Sequence, residues 1–342
     1  MAMLMLCDHP VYDISKHMIL DHAKCPFVHS DNPKKAYETW RKHRSYLKTN
    51  RTAERVILQS GGKNTREAKR RLSLSDCYWI QYDYDANTPF GEITPYKNTF
   101  STMDVHRGNG RSSSVPELVL GGSQPKQWGR GQDGITYMSK AELGKQVHAE
   151  MLAVKLAHQS RLKAMNAFVR TEKGKIYANA YPTDFQYQSL GLIQLVNITS
   201  TERSMIQFDQ LGIHVNGYHP LHVAEAYAKA GVMEDVTNIA LTQILFDAVV
   251  GNIDRETNNG NWAIFLDHNT GKRTPSWMYD FNWANISIEA TDMIGKVAGY
   301  VRQSRLEDKA IELLMPIKDA CGDLGLGLWY DNARELLRKF GG

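Results

Sequence analysis

One segment limits the folds open to this chain more than any other: residues 251–285, GNIDRETNNGNWAIFLDHNTGKRTPSWMYDFNWAN, which stand between helical stretches. Within the segment, NWAIFLD and PSWMYD have the composition of strands, and HNTGK between them consists of turn-forming residues. The pattern predicts a β-hairpin inside an otherwise helical region. Asp254 and Asp280 flank this hairpin, so the fold has to place two carboxylates beside it.

The residues around the hairpin predict a helical lobe over residues 216–342. The stretches PLHVAEAYAKAG and DVTNIALTQILFDAVVGN have helical periodicity, with Asp235 as the N-cap of the second, and amphipathic stretches follow Ile288. The longest apolar run, Ile239–Val250, is too short to cross a bilayer. The amino terminus lacks the basic region of a secretory signal. We therefore expect no membrane association and a cytoplasmic location.

Residues 73–215 predict a smaller lobe built on a mixed sheet. Strands are expected at Glu117–Leu120 and Ile135–Ser139, joined by a glycine-rich loop, and a helix is expected at Ala141–Gln159. The segments AFVRT, IYANAY and LGLIQLVNI complete the sheet. With 342 residues, of which 42% are hydrophobic, the chain is long enough for two such lobes, so a two-lobed α+β fold is predicted.

Residues 1–72 are polar and basic, and they predict a helical N-terminal extension. They hold 15 Lys and Arg against 7 acidic residues, while the rest of the chain is slightly acidic. A cationic surface of this kind faces solvent, a partner protein or nucleic acid, and the sequence leaves these alternatives open. The four cysteines form no C-x-x-C pair, which argues against a zinc ribbon or a disulfide scaffold and favours a reducing compartment.

The glycine-rich loop, Lys140 and Glu150 together suggest phosphoryl transfer from ATP. Backbone amides of such a loop approach phosphate oxygens closely because no side chains intervene. Lys140, at the end of the second strand, is placed to contact the phosphates, and Glu150, on the following helix, to orient that lysine. Each feature alone is also compatible with an ordinary turn or a solvated lysine.

The hairpin segment supplies the other groups that this reaction needs. Asp254 follows an apolar helix and is the candidate catalytic base, and Asp280 is a candidate ligand for Mg²⁺. Asn259 and Asn261, five and seven positions after Asp254, offer further oxygen ligands of the kind that Mg²⁺ prefers. The alternative is that the asparagines only form turns and that Asp254 caps a helix.

These pieces, in this order, resemble the HipA-like serine/threonine kinases, in particular the stand-alone, CtkA-like type. The resemblance runs from about Leu72 to the carboxyl end, and its motifs are SLSDCYWI, GGSQPKQW, YMSK, HAEMLAVKLA, GNIDRETNNGNWAIF and WMYDFN. It implies a protein-kinase-like fold, ATP and Mg²⁺ as cofactors, and a protein serine or threonine as acceptor, the chain itself included. It also admits an antitoxin-like protein or DNA as a partner of the basic N-terminal region.

The resemblance implies a role for each site residue. Asp254, Lys140 and Glu150 are the implied catalytic residues, and Asp280 binds the metal together with an asparagine. The implied nucleotide-binding residues are Gly121, Gly122, Ser123, Gln124, Lys126 and Lys140.

One departure from the family pattern concerns the metal-binding asparagine. The usual spacing from the catalytic aspartate selects Asn259, whereas a position directly before the aromatic start of the strand selects Asn261. We favour Asn261 because the strand fixes the direction of the side chain. The family's histidine after Asp-Arg is replaced by Glu256, while Arg255 is retained and either braces the loop or contacts phosphate.

Two other functions stay open. The same fold can phosphorylate a small molecule or a lipid headgroup, or it can act without catalysis as a nucleotide-binding or DNA-interacting regulator. A serine tract beside the expected phosphate loop is a candidate for self-phosphorylation or else a solvated segment: Ser112, Ser113, Ser114 and Ser123.

Overall fold

The computed structural model describes residues 2–27, 31–43, 77–83, 86–87, 89–90, 126–130, 136–165, 167–172, 175–176, 185–190, 203–281, 283–285 and 290–341. Within these residues the chain forms three antiparallel sheets and eight α-helices, so the predicted α+β class is confirmed.

The first sheet joins the amino terminus to a strand much later in the chain. Its strands are β1 (Ala2–Leu6), β2 (His9–Asp13), β3 (Met18–Ile19) and β4 (Tyr78–Tyr82), and the helix that covers it is α1 (Pro33–His43). The order is β3-β2-β1-β4, with every pair antiparallel. Helix α1 packs on the sheet through Tyr37, which stacks on Tyr12, and Trp40, which meets Tyr78 edge to face.

The prediction of a helical extension over residues 1–72 is wrong for its first part, where β1–β3 form instead. Leu4, Met5 and Leu6 are buried because β1 lies between β2 and β4. Its partner β4 lies beyond residue 72, so no local pattern in the extension indicates the pairing. The sheet thus draws on both sides of the expected boundary at 72, and the division into 1–72, 73–215 and 216–342 stays a prediction.

The second sheet belongs to the predicted smaller lobe, and its strands are described by their backbone. They are β5 (Lys126–Arg130), β6 (Thr136–Leu143), β7 (Ala167–Glu172), β8 (Lys175–Ile176) and β9 (Phe185–Leu190), in the order β5-β6-β9-β7-β8. The described pairs are antiparallel rather than mixed. The helix at residues 144–159 connects β6 to β7, but these two strands do not pair with each other. Strand β9 lies between them and is antiparallel to both.

The helix of this lobe, α2 (Gly144–Gln159), confirms the helix expected at residues 141–159, with β6 extending through its first three positions. Residues 136–139 of the strand expected at Ile135–Ser139 lie in β6, and Ile135 lies outside the described residues. Gly129, expected in the loop, lies in β5. The strand expected at Glu117–Leu120 lies outside the described residues.

The third sheet contains the predicted hairpin. Its strands are β10 (Arg203–Gln207), β11 (Ala263–Asp267) and β12 (Arg273–Pro275), in that order. The turn at residues 268–272 is confirmed, but the second strand ends at Pro275, and the expected strand PSWMYD does not form. Ser276 N still donates to Ala263 O of β11 at 2.9 Å, but beyond it the backbone pairs elsewhere: Met278 N donates to Lys163 O at 2.9 Å, and Met165 N donates to Met278 O at 2.8 Å.

The helical lobe is built around one buried helix. The helices are α3 (Pro220–Lys229), α4 (Val236–Val250), α5 (Asp254–Thr257), α6 (Thr291–Gln303), α7 (Glu307–Asp323) and α8 (Gly327–Phe340). Helix α4 is buried nearly all round between residues 240 and 250 and contacts α3, α6, α7 and α8. The Asp235 carboxylate accepts from Asn238 N at 3.0 Å, which confirms the predicted cap. None of the helices in the described ranges is long and apolar enough to cross a membrane.

The turn of the β11–β12 hairpin packs on residues 23–25, which follow β3 in the chain. Gly271 has φ 71°, and a Cβ there would lie 2.5 Å from the Cβ of Ala23, so only glycine fits. The buried Arg273 side chain donates to the backbone oxygens of Cys25 at 2.5 Å and Ala230 at 3.1 Å. These contacts fix residues 23–25 against the hairpin.

We expect Arg273→Met to lower the free energy of unfolding by about 2–4 kcal/mol, because it leaves buried carbonyl oxygens without their charged donor. Lys272→Met is the matched control: Lys272 is exposed, and its ion pair with Glu234 at 3.3 Å contributes at most about 1 kcal/mol. Urea unfolding followed by circular dichroism measures both. Equal losses in the two variants would contradict the role given to Arg273.

Candidate active site

The predicted catalytic loop begins where the central helix ends. Helix α4 stops at Gly251, which adopts φ 68° and donates its N–H to Asp247 O. Three residues later the single-turn helix α5 starts at Asp254, and a 3-10 turn at Asn259–Asn261 leads into β11. The chain between the two structural supports, α4 and β11, is therefore short and hydrogen-bonded along its length.

Asp254 and Asn261 are in direct contact. Asn261 Nδ2 donates to Asp254 Oδ2 at 2.6 Å, and the Asn261 side chain is buried while that of Asp254 is half-buried. Trp262 follows Asn261, and its indole N–H donates to Arg255 O at 2.9 Å. The entry into β11 thus holds Asn261 against Asp254.

Asn259 faces a different part of the chain. Its Oδ1 accepts from Val215 N at 2.8 Å, and its Nδ2 lies 3.2 Å from His214 Nδ1. The two asparagines between which the sequence criteria disagreed thus have different surroundings: Asn261 lies beside Asp254, and Asn259 lies beside the loop at residues 214–215.

Asp280 completes the acidic group. It lies after the hairpin with a left-handed backbone, φ 60°, which an aspartate adopts more readily than most residues. Burial raises the pKa of Asp254, the negative charge of Asp280 raises it further, and the hydrogen bond from Asn261 opposes both. The charge of Asp280 thus disfavours the ionised form of Asp254, in the same direction as burial.

Arg255 connects the three parts of this site. Its guanidinium is buried and donates to Asp247 Oδ2 at 2.7 Å, to Asn261 O at 2.7 Å and to Tyr279 O at 3.2 Å. The first bond fixes the loop to α4, the second fixes Asn261, and the third fixes the residue before Asp280. One side chain therefore sets the relative positions of the loop and of the two ends of the hairpin.

The surroundings of Arg255 keep it charged and in place. Its guanidinium carbon lies 5.4 Å from the ring centre of Trp262 and 5.7 Å from that of Phe281. Burial of the guanidinium disfavours its charge, but the Asp247 carboxylate outweighs burial and holds the pKa of Arg255 above its ordinary value. The side chain is thus enclosed by two rings and one carboxylate.

Asp247 is paired and hydrogen-bonded although no part of it is exposed. Besides Arg255, Asn252 Nδ2 donates to Oδ1 at 3.2 Å, and the Tyr218 hydroxyl, which donates to Asn252 O at 2.7 Å, lies 3.3 Å from Oδ2. A buried carboxylate is costly unless it is paired in this way. The sequence held one signal for it: a lone acidic residue inside the apolar run of α4.

The carbonyl oxygen of Gly260 is a second point at which hydrogen bonds join distant segments. It accepts from Gln207 Nε2 at 2.6 Å and from the Tyr279 hydroxyl at 2.5 Å. These bonds join β10, the loop and the residue before Asp280. Neither Gln207 nor Tyr279 has a role that the sequence indicates, because both act through contacts between distant segments.

The structure describes only some of the predicted nucleotide-binding residues. Lys140 lies in β6 directly opposite Lys126 of β5, and Glu150 is buried in α2, the helix that follows β6. Gly121, Gly122, Ser123 and Gln124 lie outside the described residues, as do the serines at 112–114. The pairing of Lys140 with Glu150 and the phosphate loop stay predictions.

Comparisons with known proteins bear on the fold. No family model and no curated protein matches the sequence. HipA of the Shewanella oneidensis MR-1 toxin–antitoxin system, solved with HipB and operator DNA, is similar with a TM-score of 0.52 and 11% identity, over 99% of this chain and 96% of that chain. CtkA, a proinflammatory kinase of Helicobacter pylori, gives a TM-score of 0.40 and 12% identity, over 64% of this chain and 88% of that chain. The expected HipA-like, kinase-like fold is confirmed by the first likeness.

We expect Arg255→Met to lower the free energy of unfolding by about 3–5 kcal/mol, because it leaves Asp247 buried without its cation. The double variant Arg255→Met with Asp247→Leu loses less than the single one, since no buried charge remains. Guanidinium unfolding measures both. Lys296→Met, which breaks the exposed Lys296–Glu256 pair, is the control and changes stability by less than about 1 kcal/mol. A double variant less stable than Arg255→Met would contradict this account.

Proposed function

We propose that this chain is an ATP- and Mg²⁺-dependent kinase that transfers the γ-phosphoryl group to serine or threonine of a protein, its own chain included. The observation that carries the proposal is the group formed by Asp254, Asn261 and Asp280, held together by Arg255. The kinase-like fold supports it, since the group lies at the hairpin that the sequence singles out.

Asp254 is the proposed catalytic base. Its raised pKa makes it a better proton acceptor than an ordinary aspartate. Asn261 orients the Asp254 carboxylate by donating a hydrogen bond to its Oδ2. Because a carboxylate is rigid, the same bond also sets the direction of Oδ1. In this role Asp254 accepts the proton of the acceptor hydroxyl as that oxygen attacks the γ-phosphorus.

Asp280 and Asn261 are the proposed metal ligands. They fit a hard divalent cation because they offer carboxylate and amide oxygens, and because a cation relieves the repulsion between Asp254 and Asp280. With Nδ2 of Asn261 directed to Asp254, its amide oxygen is the ligand atom. Bound Mg²⁺ neutralises the charge that develops on the transferring group. Asn259 is the second candidate ligand, and its bonds to Val215 and His214 speak against it.

The smaller lobe is proposed to bind the nucleotide. Lys140 contacts the phosphates and Glu150 orients it, while Gly121, Gly122, Ser123, Gln124 and Lys126 surround the phosphates. The order of β6 and α2 in the chain supports this assignment, because it brings a lysine-bearing strand directly before a helix with a buried glutamate.

The acceptor and the partners are proposals of the same kind. A small molecule or lipid headgroup as acceptor, and a regulator without catalysis, are the competing functions. An antitoxin-like protein or DNA is proposed to bind the basic N-terminal region, by analogy with HipA, which was solved with HipB and DNA. A cytoplasmic location is proposed from the sequence, whose cysteine pattern favours a reducing compartment. Transfer of labelled phosphate from ATP to polypeptide, to small acceptors or to neither distinguishes the three functions, and peptide mass spectrometry locates any phosphoserine.

Asp254→Asn is expected to reduce turnover about 10²–10⁴-fold with nearly unchanged affinity for Mg·ATP, because a base acts on the acceptor. Asp280→Asn is expected to weaken Mg·ATP binding as well as turnover, because it removes a metal ligand. Calorimetry measures binding, and labelled ATP measures transfer. If both variants bind and turn over like the parent chain, the kinase assignment is wrong.

Asn261→Ala is expected to lower the rate about 10²–10³-fold at saturating ATP, because loss of a metal ligand removes several kcal/mol of charge stabilisation. Asn259→Ala is the matched control and costs much less. The rates are measured over a range of Mg²⁺ concentrations, and Asn261→Ala shifts the half-saturating concentration upward. The reverse ranking would identify Asn259 as the ligand.

A further inference from the structure

A cluster of two cysteines and a histidine lies away from the candidate active site. Cys7 follows β1, Cys77 precedes β4, and His268 begins the turn after β11. One ligand atom from each residue lies within 4.8 Å of the other two, and Cys7 Sγ lies 3.9 Å from His268 Nδ1. Among the described residues, no other group of Cys, His, Asp and Glu is arranged in this way.

The first sheet places the two cysteines opposite each other. The register of β1 and β4 pairs Leu6 with Tyr78, and Cys7 N continues the ladder by donating to Cys77 O at 3.0 Å. Cys7 has φ 51°, a left-handed conformation that ends the strand. The sulfurs therefore meet because of long-range strand pairing and not because of their spacing in the sequence.

The histidine is held in one orientation. His268 is buried, and its Nε2 lies 2.8 Å from Ser204 Oγ, which also accepts from Cys77 N at 3.3 Å. When Nε2 carries the proton and donates to Ser204, the lone pair of Nδ1 faces Cys7. Metal-binding histidines typically have such a partner on their second nitrogen, which fixes the tautomer and the ring.

We propose that Cys7, Cys77 and His268 form a binding site for Zn²⁺. Zn–S bonds of about 2.3 Å and Zn–N bonds of about 2.0 Å in a tetrahedron require separations of about 3.5 Å between sulfur and nitrogen and about 3.8 Å between the two sulfurs. The separation of 3.9 Å between Cys7 Sγ and His268 Nδ1 exceeds the first value by about 0.4 Å, and the limit of 4.8 Å on the other separations means that each of them has to shorten by at most about 1.3 Å. Three protein ligands leave the fourth position to water or to another donor.

The bound ion would join two parts of the fold. Cys7 and Cys77 belong to the first sheet, whereas His268 belongs to the hairpin that bears Asn261 at the other end of β11. The site therefore adds a covalent-like link to the contacts of Gly271 and Arg273 with residues 23–25. This inference does not depend on the proposed kinase activity.

Cobalt(II) tests the site directly, because thiolate ligands give it charge-transfer absorption that oxygen ligands do not. The full-length chain, kept reduced and freed of metal with a chelator, is titrated with Co²⁺ and then with Zn²⁺. We expect one Co²⁺ per chain with thiolate charge-transfer bands and the intense visible bands of a tetrahedral ion, both lost when Zn²⁺ displaces it. Zn²⁺ is also expected to raise the melting temperature.

The variants separate the cluster from other thiols. Cys7→Ser and His268→Gln are expected to weaken Co²⁺ binding at least about tenfold while circular dichroism shows the parent fold. Cys321→Ala, which removes a buried thiol elsewhere, keeps the parent spectrum. Three results would overturn the proposal: no thiolate bands in the reduced parent, bands unchanged in folded Cys7→Ser and His268→Gln, or a Cys7–Cys77 disulfide that persists under reducing conditions and excludes the metal.

Discussion

The buried ion pair between Arg255 and Asp247 determines the geometry of the region on which the proposed function depends. The pair contributes little net stability, because both charged groups lose their hydration when they are buried. Its larger effect is on geometry, since it fixes the positions of the segments that it joins. The carboxylate belongs to the central helix, and the guanidinium reaches the loop, the start of β11 and the residue before Asp280. Because helix packing in the core fixes Asp247, the ion pair with Arg255 also fixes the positions of Asp254, Asn261 and Asp280.

Local patterns predicted the parts of this arrangement that depend on neighbouring residues. The turn at 268–272, the Asp235 cap and the helix at 144–159 follow from turn chemistry and periodicity, which act over a few residues. The preference for Asn261 over Asn259 as the metal ligand has the same origin, since it rests on the strand that begins after Trp262, and the structure places Asn261, not Asn259, beside Asp254. Its role as a metal ligand stays a prediction.

Contacts between distant segments were not predictable in this way. The pairing of β1 with β4 turned an expected helical extension into a sheet, and it brought together two cysteines whose spacing resembles no metal motif. The prediction put the second strand of the hairpin too far along the chain, at residues 275–280. The backbone of Met278 pairs with residues 163 and 165 rather than with β11. Asp247 was visible only as an interruption of an apolar run, since its partner lies beyond the end of the helix.

The sheet formed by β1–β4 has a consequence for the way the chain is made. During synthesis β1 emerges well before the β11–β12 hairpin, since Arg273 comes 247 residues after Pro26, whose carbonyl it reaches, and His268 comes 261 residues after Cys7. At about 5–20 residues per second, roughly 10–50 s pass between the synthesis of these segments. The strand β1 can therefore pair with β2 and β4 early, whereas Cys7 and Pro26 wait for most of this interval before the hairpin residues that contact them exist.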